Sequence, residues 1–478
     1  MPTPTADYDL PGVSVDIADF GLRVAAPLPG PKLTLFGATT ATLGGAVQIN
    51  EPYLIQSFPS AIAALKNADG SDSELSKAVE KAVEAGAQHV EVVIVAQTSE
   101  YATENARWDA LKASFVNLKE HPMDVVHSDE AYADVEGLSG TDVDGESRTD
   151  YKRLFGDFCY RATKVGNTVR AVVGLTPLLQ VAKDESWTVA PTSDAEVLFA
   201  TPTLAQVNEW VEHIEGNVGT LDDHSTHAAM EGYVYGSIEQ SAGVISTSYD
   251  GWAREESGSI ATDYLGNNVD GMRAVTVFGA VAKQALSSTR TRAATMGYAG
   301  QFSENTNGAT AYAGFLTTLN AGETPTNKTI RSLSPARSIP VTFASNFLNL
   351  RIATMVQRST GFVVSKGITG AHNASAYTRS DFVNWSAYDT VILAIDVAKN
   401  AVEPYIGKYS AAEVINAMQN DLDNALHALV AFGMAKRVTA SIVQTRDQQI
   451  LGNLDIELDI VPTGEIDNIQ FRAMLHRE

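Results

Sequence analysis

The sequence has little of what covalent and redox chemistry requires. Its 478 residues include a single cysteine, Cys159, so no disulfide can form within the chain and no cluster of cysteines can bind a metal. The stretch from Leu154 to Tyr160 has the pattern of an apolar helix face. We therefore predict that Cys159 is a packed structural thiol and not a nucleophile.

Basic residues are also scarce. The chain has 34 Lys and Arg against 57 Asp and Glu, which gives a formal net charge of −23. So acidic a surface repels phosphate groups, and we expect no contact with nucleic acid. The same charge favours solubility, but it makes copies of the chain repel one another, and any interface between them must overcome this repulsion.

Long apolar runs and common catalytic motifs are absent too. No stretch is apolar over the length of a bilayer crossing, and the first ten residues lack a secretory signal. We expect no membrane insertion and folding in a reducing cytoplasm. The sequence contains no glycine-rich phosphate loop, no HExxH and no GxSxG. We therefore expect no enzymatic activity and no cofactor.

One cluster has the residue types of a metal site: Asp222, Asp223, His224 and His227. Two histidines three residues apart could bind one ion if the segment were helical, but a polar loop is predicted here. Incidental clustering on the surface is the favoured interpretation, and we expect no metal. Asp142 and its neighbours resemble part of a calcium loop, but Gly140 and Tyr151 stand where the outer acidic ligands should be.

Apolar periodicity predicts strands and helices in alternation, the pattern of a mixed α/β fold with several domains. Strands are predicted at 33–36, 89–96, 123–126, 169–175, 271–279 and 361–369. Helices are predicted after residue 71, over 108–118, over 151–163 and after residue 203. Ser71 with Glu74 is predicted to cap the first of these helices. The acidic segment 129–150 is predicted to be a surface loop.

The C-terminal third predicts two helices and then strands. One helix is predicted over 386–402, and a second between Ser410 with Glu413 as its cap and Gly433 as its end. The second helix has an apolar stripe made by Ile415, Met418, Leu422, Leu426 and Leu429. A strand is predicted over 437–444.

Apolar and polar residues alternate in the last part of the sequence, which is the pattern of two half-buried strands. The first strand has Leu454, Ile456, Leu458 and Ile460 on its apolar face; the second has Ile469, Phe471 and Leu475. We expect nothing later in the chain to cover the second strand, so it pairs within its own domain or joins the sheet of another chain. A similar short strand is predicted near the other end, with Val13, Val15 and Ile17 on one face.

These features together resemble the tail sheath proteins of contractile bacteriophages and related injection machines. The resemblance is carried by Pro11-Gly12-Val13, Glu51 to Ile55, Ala85 to Val90, Leu348-Asn349, Gly361 to Val364, Asp381 to Trp385, the helix that ends at Gly433, and the strand that follows Gly452. Gly86-Ala87 stands where the family often has two glycines.

The resemblance implies a domain order. Residues 1–31 would be an N-terminal arm and linker, and 32–340 an outer and middle α/β region with an inserted sub-domain at 183–270. Residues 341–450 would form the inner C-terminal domain, and 451–478 a strand pair with a C-terminal arm. The strand 454–460 would accept arms from neighbouring subunits, and the helix bearing Asp421 and Asp423 would face the tail tube.

The resemblance also implies a structural role in the virion tail. Subunits would form hexameric rings, assembled in the host cytoplasm and stacked helically around the tail tube. The stack would contract to drive the tube through the host envelope and deliver the genome. Its partners would be other copies of the chain, the tube protein, and the baseplate and tail terminator proteins.

Three alternatives stay open. The chain could be a sheath subunit of an injection system that is not a phage. It could be an α/β metal-dependent enzyme centred on Asp222, Asp223, His224 and His227, or an α/β binding module that remains monomeric.

Overall fold

In a computed structural model, the described residues are 31–41, 49–99, 101–133, 138–142, 148, 151–164, 166–174, 274–279, 282–284, 304–306, 308–320, 322–335, 348, 352–358, 361–370, 384–408, 411–443 and 454–464. By their contacts these residues divide into two units. The larger unit takes in the described residues of 31–320 and 324–388. The smaller one takes in 322–323 and the described residues from 389 onward.

The strands of the larger unit fall into three sheets. They are β1 Leu33–Ala38, β2 Pro52–Leu54, β3 Val90–Ala96, β4 Val125–Tyr132, β5 Arg170–Gly174, β6 Val275–Phe278, β7 Ala282–Gln284, β8 Glu304–Thr306, β9 Leu333–Pro335, β10 Ile352–Ala353, β11 Met355–Arg358 and β12 Gly361–Val364. The largest sheet has the order β10-β6-β5-β4-β1-β3-β2. Its strands are parallel except β2, which runs antiparallel to β3.

Helices cover both faces of this sheet, as parallel strands require. They are α1 Phe58–Ala64, α2 Glu74–Glu84, α3 Glu104–Leu118, α4 Tyr151–Lys164 and α5 Ala309–Leu316. On one face, α2 and α5 pack with each other over β1 and β4. On the other, Phe36 of β1 meets Phe115 of α3, with ring centroids 5.1 Å apart, and Phe158 of α4 lies 4.4 Å from Phe115.

Most predicted elements of the larger unit are confirmed. Strand β3 is buried on both faces, as predicted, and the predicted helix face of Trp108, Leu111, Phe115 and Leu118 is buried as well. Cys159 is fully buried on α4, and burial raises the pKa of its thiol, as expected of a structural cysteine. No described helix combines the length and the apolar character needed to cross a membrane.

Two local predictions were wrong. The cap of α2 is Ser73, whose hydroxyl accepts from the Ser76 amide at 3.0 Å, so the predicted cap Ser71 lies too early. The predicted loop 129–150 begins inside a strand, because β4 continues to Tyr132 with Asp129 buried. A distant lysine makes this possible: Lys81 of α2 neutralises Asp129 across 2.7 Å.

The domain order implied by the resemblance stays a prediction. By their contacts, the described residues of 352–388 belong to the larger unit. The reason is a parallel pairing between distant segments: Ile352 lies beside Val277, and Ala353 beside Phe278. The register of such a pairing is fixed by packing across the sheet, which local periodicity does not encode.

The smaller unit is built from α6 Trp385–Val402, a 3₁₀ turn at Glu403–Tyr405, α7 Ala412–Ala431, and the strands β13 Ala435–Val443 and β14 Asp455–Pro462. The division between the units falls within α6, after Tyr388. Helix α7 ends before Gly433, whose φ of 75° is the left-handed conformation predicted there. The N-cap of α7 is Ala411, which makes no side-chain cap hydrogen bond; the predicted cap residue Ser410 lies outside the described residues.

Close packing of α5 on α2 gives a test of the larger unit. A Cβ atom at Gly314 of α5 would lie 2.6 Å from the carbonyl oxygen of Ala82 on α2. We expect Gly314→Ala to lower the free energy of unfolding by about 1 to 2 kcal/mol, because the clash outweighs the better helix propensity of alanine. Urea unfolding measures the change. Gly464→Ala is the control, since no atom lies within 4 Å of its added Cβ; equal stability of the two variants would contradict the packing.

Candidate functional site

Strands β13 and β14 form a two-stranded antiparallel sheet in which Ala440 faces Leu458 and Ile442 faces Ile456. One face of this sheet is apolar and half-buried. Its residues Val438, Ala440, Ile456, Leu458 and Ile460 pack on a core made by α6 and α7. Leu454, directly before β14, is also half-buried. The alternation read from residues 454–460 thus corresponds to a strand with one apolar face.

Helix α7 supplies the other side of this core. Its stripe Met418, Leu422, Leu426 and Leu429 is buried, and Ile415 is half-buried. Ala394 and Ala398 of α6 are buried in the same core. The helix pair therefore gives the two-stranded sheet the apolar support that an isolated hairpin lacks.

The opposite face of the sheet is exposed and charged. Asp455, Glu457 and Asp459 follow one another along β14 at every second position. The Arg437 guanidinium of β13 contacts the Asp459 carboxylate at 2.7 Å. Both side chains are 62% exposed, so this ion pair contributes little to folding.

The outer edges of the two strands differ. The Thr463 amide donates to the Met434 carbonyl at 3.0 Å. The backbone N–H and C=O groups of alternate residues before it, including those of Asp459, therefore also point toward β13. The backbone groups of Ile456, Leu458 and Ile460 then point away from β13. At the other edge, Gln419 of α7 donates to the Ala440 carbonyl at 3.0 Å. Among the described residues, no third strand pairs with either edge.

Asp421 and Asp423 are both exposed on α7 but lie on different flanks of the helix. Two residues correspond to about 200° of rotation, so the buried stripe separates them. The Asp421 carboxylate accepts from the Tyr405 hydroxyl at 2.6 Å, and this hydrogen bond raises the pKa of Tyr405. The Asp423 carboxylate accepts from Gln419 at 2.9 Å, on the side of β13.

Several predicted site residues lie outside the described ranges. These are Val13, Val15, Ile17, Ile469, Phe471 and Leu475, together with Asp222, Asp223, His224 and His227. Within the described ranges, no group of three or more His, Cys, Asp or Glu side chains is arranged to hold a metal ion.

No family model matches this sequence, and no curated protein matches it. Solved structures do match its fold. The helical sheath of the anti-feeding prophage in its contracted state has a TM-score of 0.54 at 10% identity, with 94% of each chain covered. The six-fold symmetrised baseplate of the same prophage gives 0.53 at 10% identity, with 95% of each chain covered. A sheath tail protein from Listeria innocua gives 0.50 at 9% identity, covering 93% of this chain and 98% of that one.

The chain has the fold of tail sheath proteins. The predicted α/β class and the likeness seen in the sequence are thereby confirmed at the level of the fold. Because the sequence identities are only 9 to 10%, the comparison shows the fold and nothing beyond it.

In this sheath fold, one position of the large sheet would hold a ligand in many α/β enzymes. Strand β1 lies between β3 and β4, so the chain order reverses there, and ligands of open α/β sheets bind at the carboxyl ends of such strands. Here the place is taken by Glu74, the first residue of α2. Its carboxylate accepts from the Ala38 amide at 3.0 Å and from the Ser128 hydroxyl at 3.3 Å.

A second buried group lies beside it on β4. The Asp129 carboxylate accepts from the Lys81 ammonium at 2.7 Å and from the Thr310 hydroxyl. Burial would raise the pKa of Asp129, but the charge and hydrogen bond of Lys81 hold it below its ordinary value. The ring of His127 contacts Thr310 Oγ1 and the Val172 carbonyl, each at 2.8 Å, and burial lowers its pKa.

These contacts give the two carboxylates a structural role. Each joins a helix to the carboxyl end of a strand, and together they fill the place where a ligand would lie. One usable signal is present in the sequence, an acidic residue in the first turn of α2, but the local pattern assigns Glu74 to the helix cap. Its partner Ala38 is distant in sequence and adjacent only in the folded sheet.

The buried Glu74 gives the sheath fold a pH dependence. Burial, helped by the charge of Glu130 and opposed by Arg107, raises its pKa from 4.5 to about 8. The folded chain therefore keeps a proton that the unfolded chain releases, and the free energy of unfolding falls as pH rises from about 4.5 to about 8. We expect Glu74→Gln to remove this loss and to be more stable than the unmodified chain at pH 9 by on the order of 3 kcal/mol.

Urea unfolding of both chains between pH 5 and pH 9 measures this difference, which should grow with pH. Glu413→Gln is the matched control, because Glu413 is exposed on α7. Parallel stability profiles for Glu74→Gln and the unmodified chain would show that Glu74 is already ionised in the folded state.

Proposed function

We propose that this chain is the structural subunit of a contractile tail sheath and not an enzyme. The observation that carries the proposal is the β13–β14 sheet, whose apolar face is supported by α6 and α7 while its two edges have no described partner strand. The fold likeness to sheath structures over more than nine-tenths of the chain supports it. The crevice closed by Glu74 agrees with a protein that binds no substrate there.

In this proposal, the segments around Val13 to Ile17 and Ile469 to Leu475 are arms that add strands to the sheets of neighbouring copies. Strand β14, with Ile456, Leu458 and Ile460, is an acceptor. Strand addition uses backbone hydrogen bonds, which do not depend on the relative orientation of the two subunit bodies. Subunits can then rotate during contraction while the arms stay bound.

The proposed assembly is a helical stack of hexameric rings around a tail tube, attached to a baseplate and closed by a terminator protein. The N-terminal arm 1–31 and the C-terminal segments 341–450 and 451–478 make the inner part, and residues 32–340 the outer part. The exposed side of α7 would face the tube, with Asp421 and Asp423 at its two margins. The sheath would be a virion component assembled in the host cytoplasm.

A sheath of a non-phage injection system is the second candidate. It is favoured by the likeness to the anti-feeding prophage sheath and baseplate. Both candidates have the same subunit mechanics, since each uses a contracting stack and consumes no nucleotide. They differ in whether the tube delivers a genome.

Electron microscopy of the purified chain tests the proposal. We expect rings or tubes from the full chain. Deletion of Asp467 to Glu478, or of Met1 to Ala18, should abolish them, because each deletion removes one strand that links neighbouring copies. Light scattering of the same samples should show one chain per particle after either deletion.

Long tubes from either truncated chain would refute strand exchange. A full chain that stays monomeric at high concentration would instead favour the binding module. Stoichiometric bound metal that is lost in the His224→Ala, His227→Ala variant would favour the metal-dependent enzyme.

A further inference from the structure

A line of polar contacts joins helix α5 to two central strands of the large sheet. His127 and Asp129 lie two positions apart on β4, so their side chains leave the same face of the strand. Thr310, the second residue of α5, contacts both. Its Oγ1 atom is 2.8 Å from Nε2 of the His127 ring and also contacts the Asp129 carboxylate. On the other side of the ring, Nδ1 is 2.8 Å from the carbonyl oxygen of Val172 on β5. The three side chains are buried.

This line of contacts begins and ends with groups that only accept hydrogen bonds, a backbone carbonyl and a carboxylate. Three hydrogen bonds between them need three protons. The Thr310 hydroxyl supplies one proton, and a neutral imidazole supplies one more. A neutral His127 therefore leaves two acceptor atoms facing each other at one of the three contacts. Because the side chains are buried, bulk solvent does not supply the missing donor.

The third proton could lie on His127 or on Asp129, and Lys81 of α2 distinguishes the two. The Lys81 ammonium is 2.7 Å from the Asp129 carboxylate, and its charge holds the pKa of that carboxyl below its ordinary value. The carboxylate is thereby favoured, and the proton belongs on the ring. An imidazolium satisfies all three contacts. Its Nδ1–H donates to Val172 and its Nε2–H to Thr310, whose hydroxyl donates to Asp129.

Several groups act on the charge of this ring. Burial and the Lys81 ammonium oppose the charge and lower the pKa of His127, whereas Asp129 and the hydrogen bond to the β5 carbonyl raise it. Among the described residues, Asp129 on β4 and Lys81 on α2 are the charged groups that act on the ring. Glu74 of α2 stays protonated up to about pH 8, because burial raises its pKa. Helix α5 faces the ring with the Thr310 hydroxyl, which decides the balance. While this hydroxyl donates to the carboxylate, its contact with Nε2 is attractive only if Nε2 carries a proton.

We propose that a proton held on His127 fastens the first turn of α5 to β4 and β5, and that loss of this proton loosens the helix. The proposal does not depend on the sheath function. Once the ring is neutral, two acceptor atoms face each other at 2.8 Å on one side of it. An unfolded histidine releases its proton above about pH 6.5. The stability from this contact is therefore present below that pH, and it is lost as pH rises through the higher pKa of the folded ring.

Nuclear magnetic resonance of the histidine ring nitrogens in the full chain tests the charge of His127 directly, because a protonated ring nitrogen resonates apart from a bare one. The signals of this ring are those that His127→Gln removes. We expect both nitrogens to be protonated at about pH 7.5, where a histidine of ordinary pKa is neutral. Thr310→Val deletes the hydroxyl and should leave one bare nitrogen at this pH. Thr310→Ser keeps the hydroxyl and should keep the imidazolium.

Urea unfolding measures the stability that this proton contributes, in a Glu74→Gln background that removes the proton held by Glu74. Above about pH 6.5, the equilibrium constant for unfolding should rise by up to about tenfold per pH unit more than it does in the Thr310→Val variant of the same background. Thr317→Val is the matched control, because the buried Thr317 hydroxyl donates to the Gly314 carbonyl at the end of the same helix. This control should keep the full pH dependence.

Two results would overturn the proposal. One is a neutral His127 ring in the folded, unmodified chain at about pH 7.5. The other is an equal pH dependence of unfolding in the Thr310→Val and Thr317→Val variants. If Thr310→Val does not fold, the ring signals of the unmodified chain and of Thr310→Ser decide the question. Both measurements can be made on a chain that stays monomeric, so failure of the sheath function is distinguishable from failure of this proposal.

Discussion

The proposed assembly depends on the two edges of the β13–β14 sheet, which have no partner strand among the described residues. Two antiparallel strands are marginal in water, and here α6 and α7 bury one face of the pair. Packing on one face leaves both edges without a partner strand among the described residues, although the Ala440 carbonyl of β13 accepts from Gln419. Exposed edges invite pairing with other chains, and natural proteins either block them or use them.

The larger unit depends on a different balance. Its parallel sheet is covered by helices on both faces, and the carboxyl ends of β1 and β4 are closed by the protein's own side chains. Glu74 and Asp129 are both buried there, but they are stabilised differently: Asp129 has the Lys81 ammonium at 2.7 Å, whereas burial favours the protonated form of Glu74. In the proposed sheath, a fold that serves catalysis in many proteins would have a structural role.

The net charge of the chain limits how its copies can associate. At a formal charge of −23, copies of the chain repel one another, so contacts between them need local complementarity. The β13–β14 sheet exposes both signs of charge, with Arg437 on one strand and Glu457 on the other. In the proposed assembly, backbone hydrogen bonds and apolar burial would hold copies together where salt screens the charges.

The sequence by itself determined the strands and helices whose apolar residues repeat with a clear period. The alternation from Leu454 to Ile460 and the stripe from Met418 to Leu429 predicted β14 and α7, because burial of one face acts on residues two or about four positions apart. Only the tertiary structure decided the contacts between distant segments: Glu74 on the Ala38 amide, Lys81 on Asp129, Gln419 on the Ala440 carbonyl, and Ile352 beside Val277. Local periodicity contains no information about these pairs, since each depends on which elements the fold brings side by side.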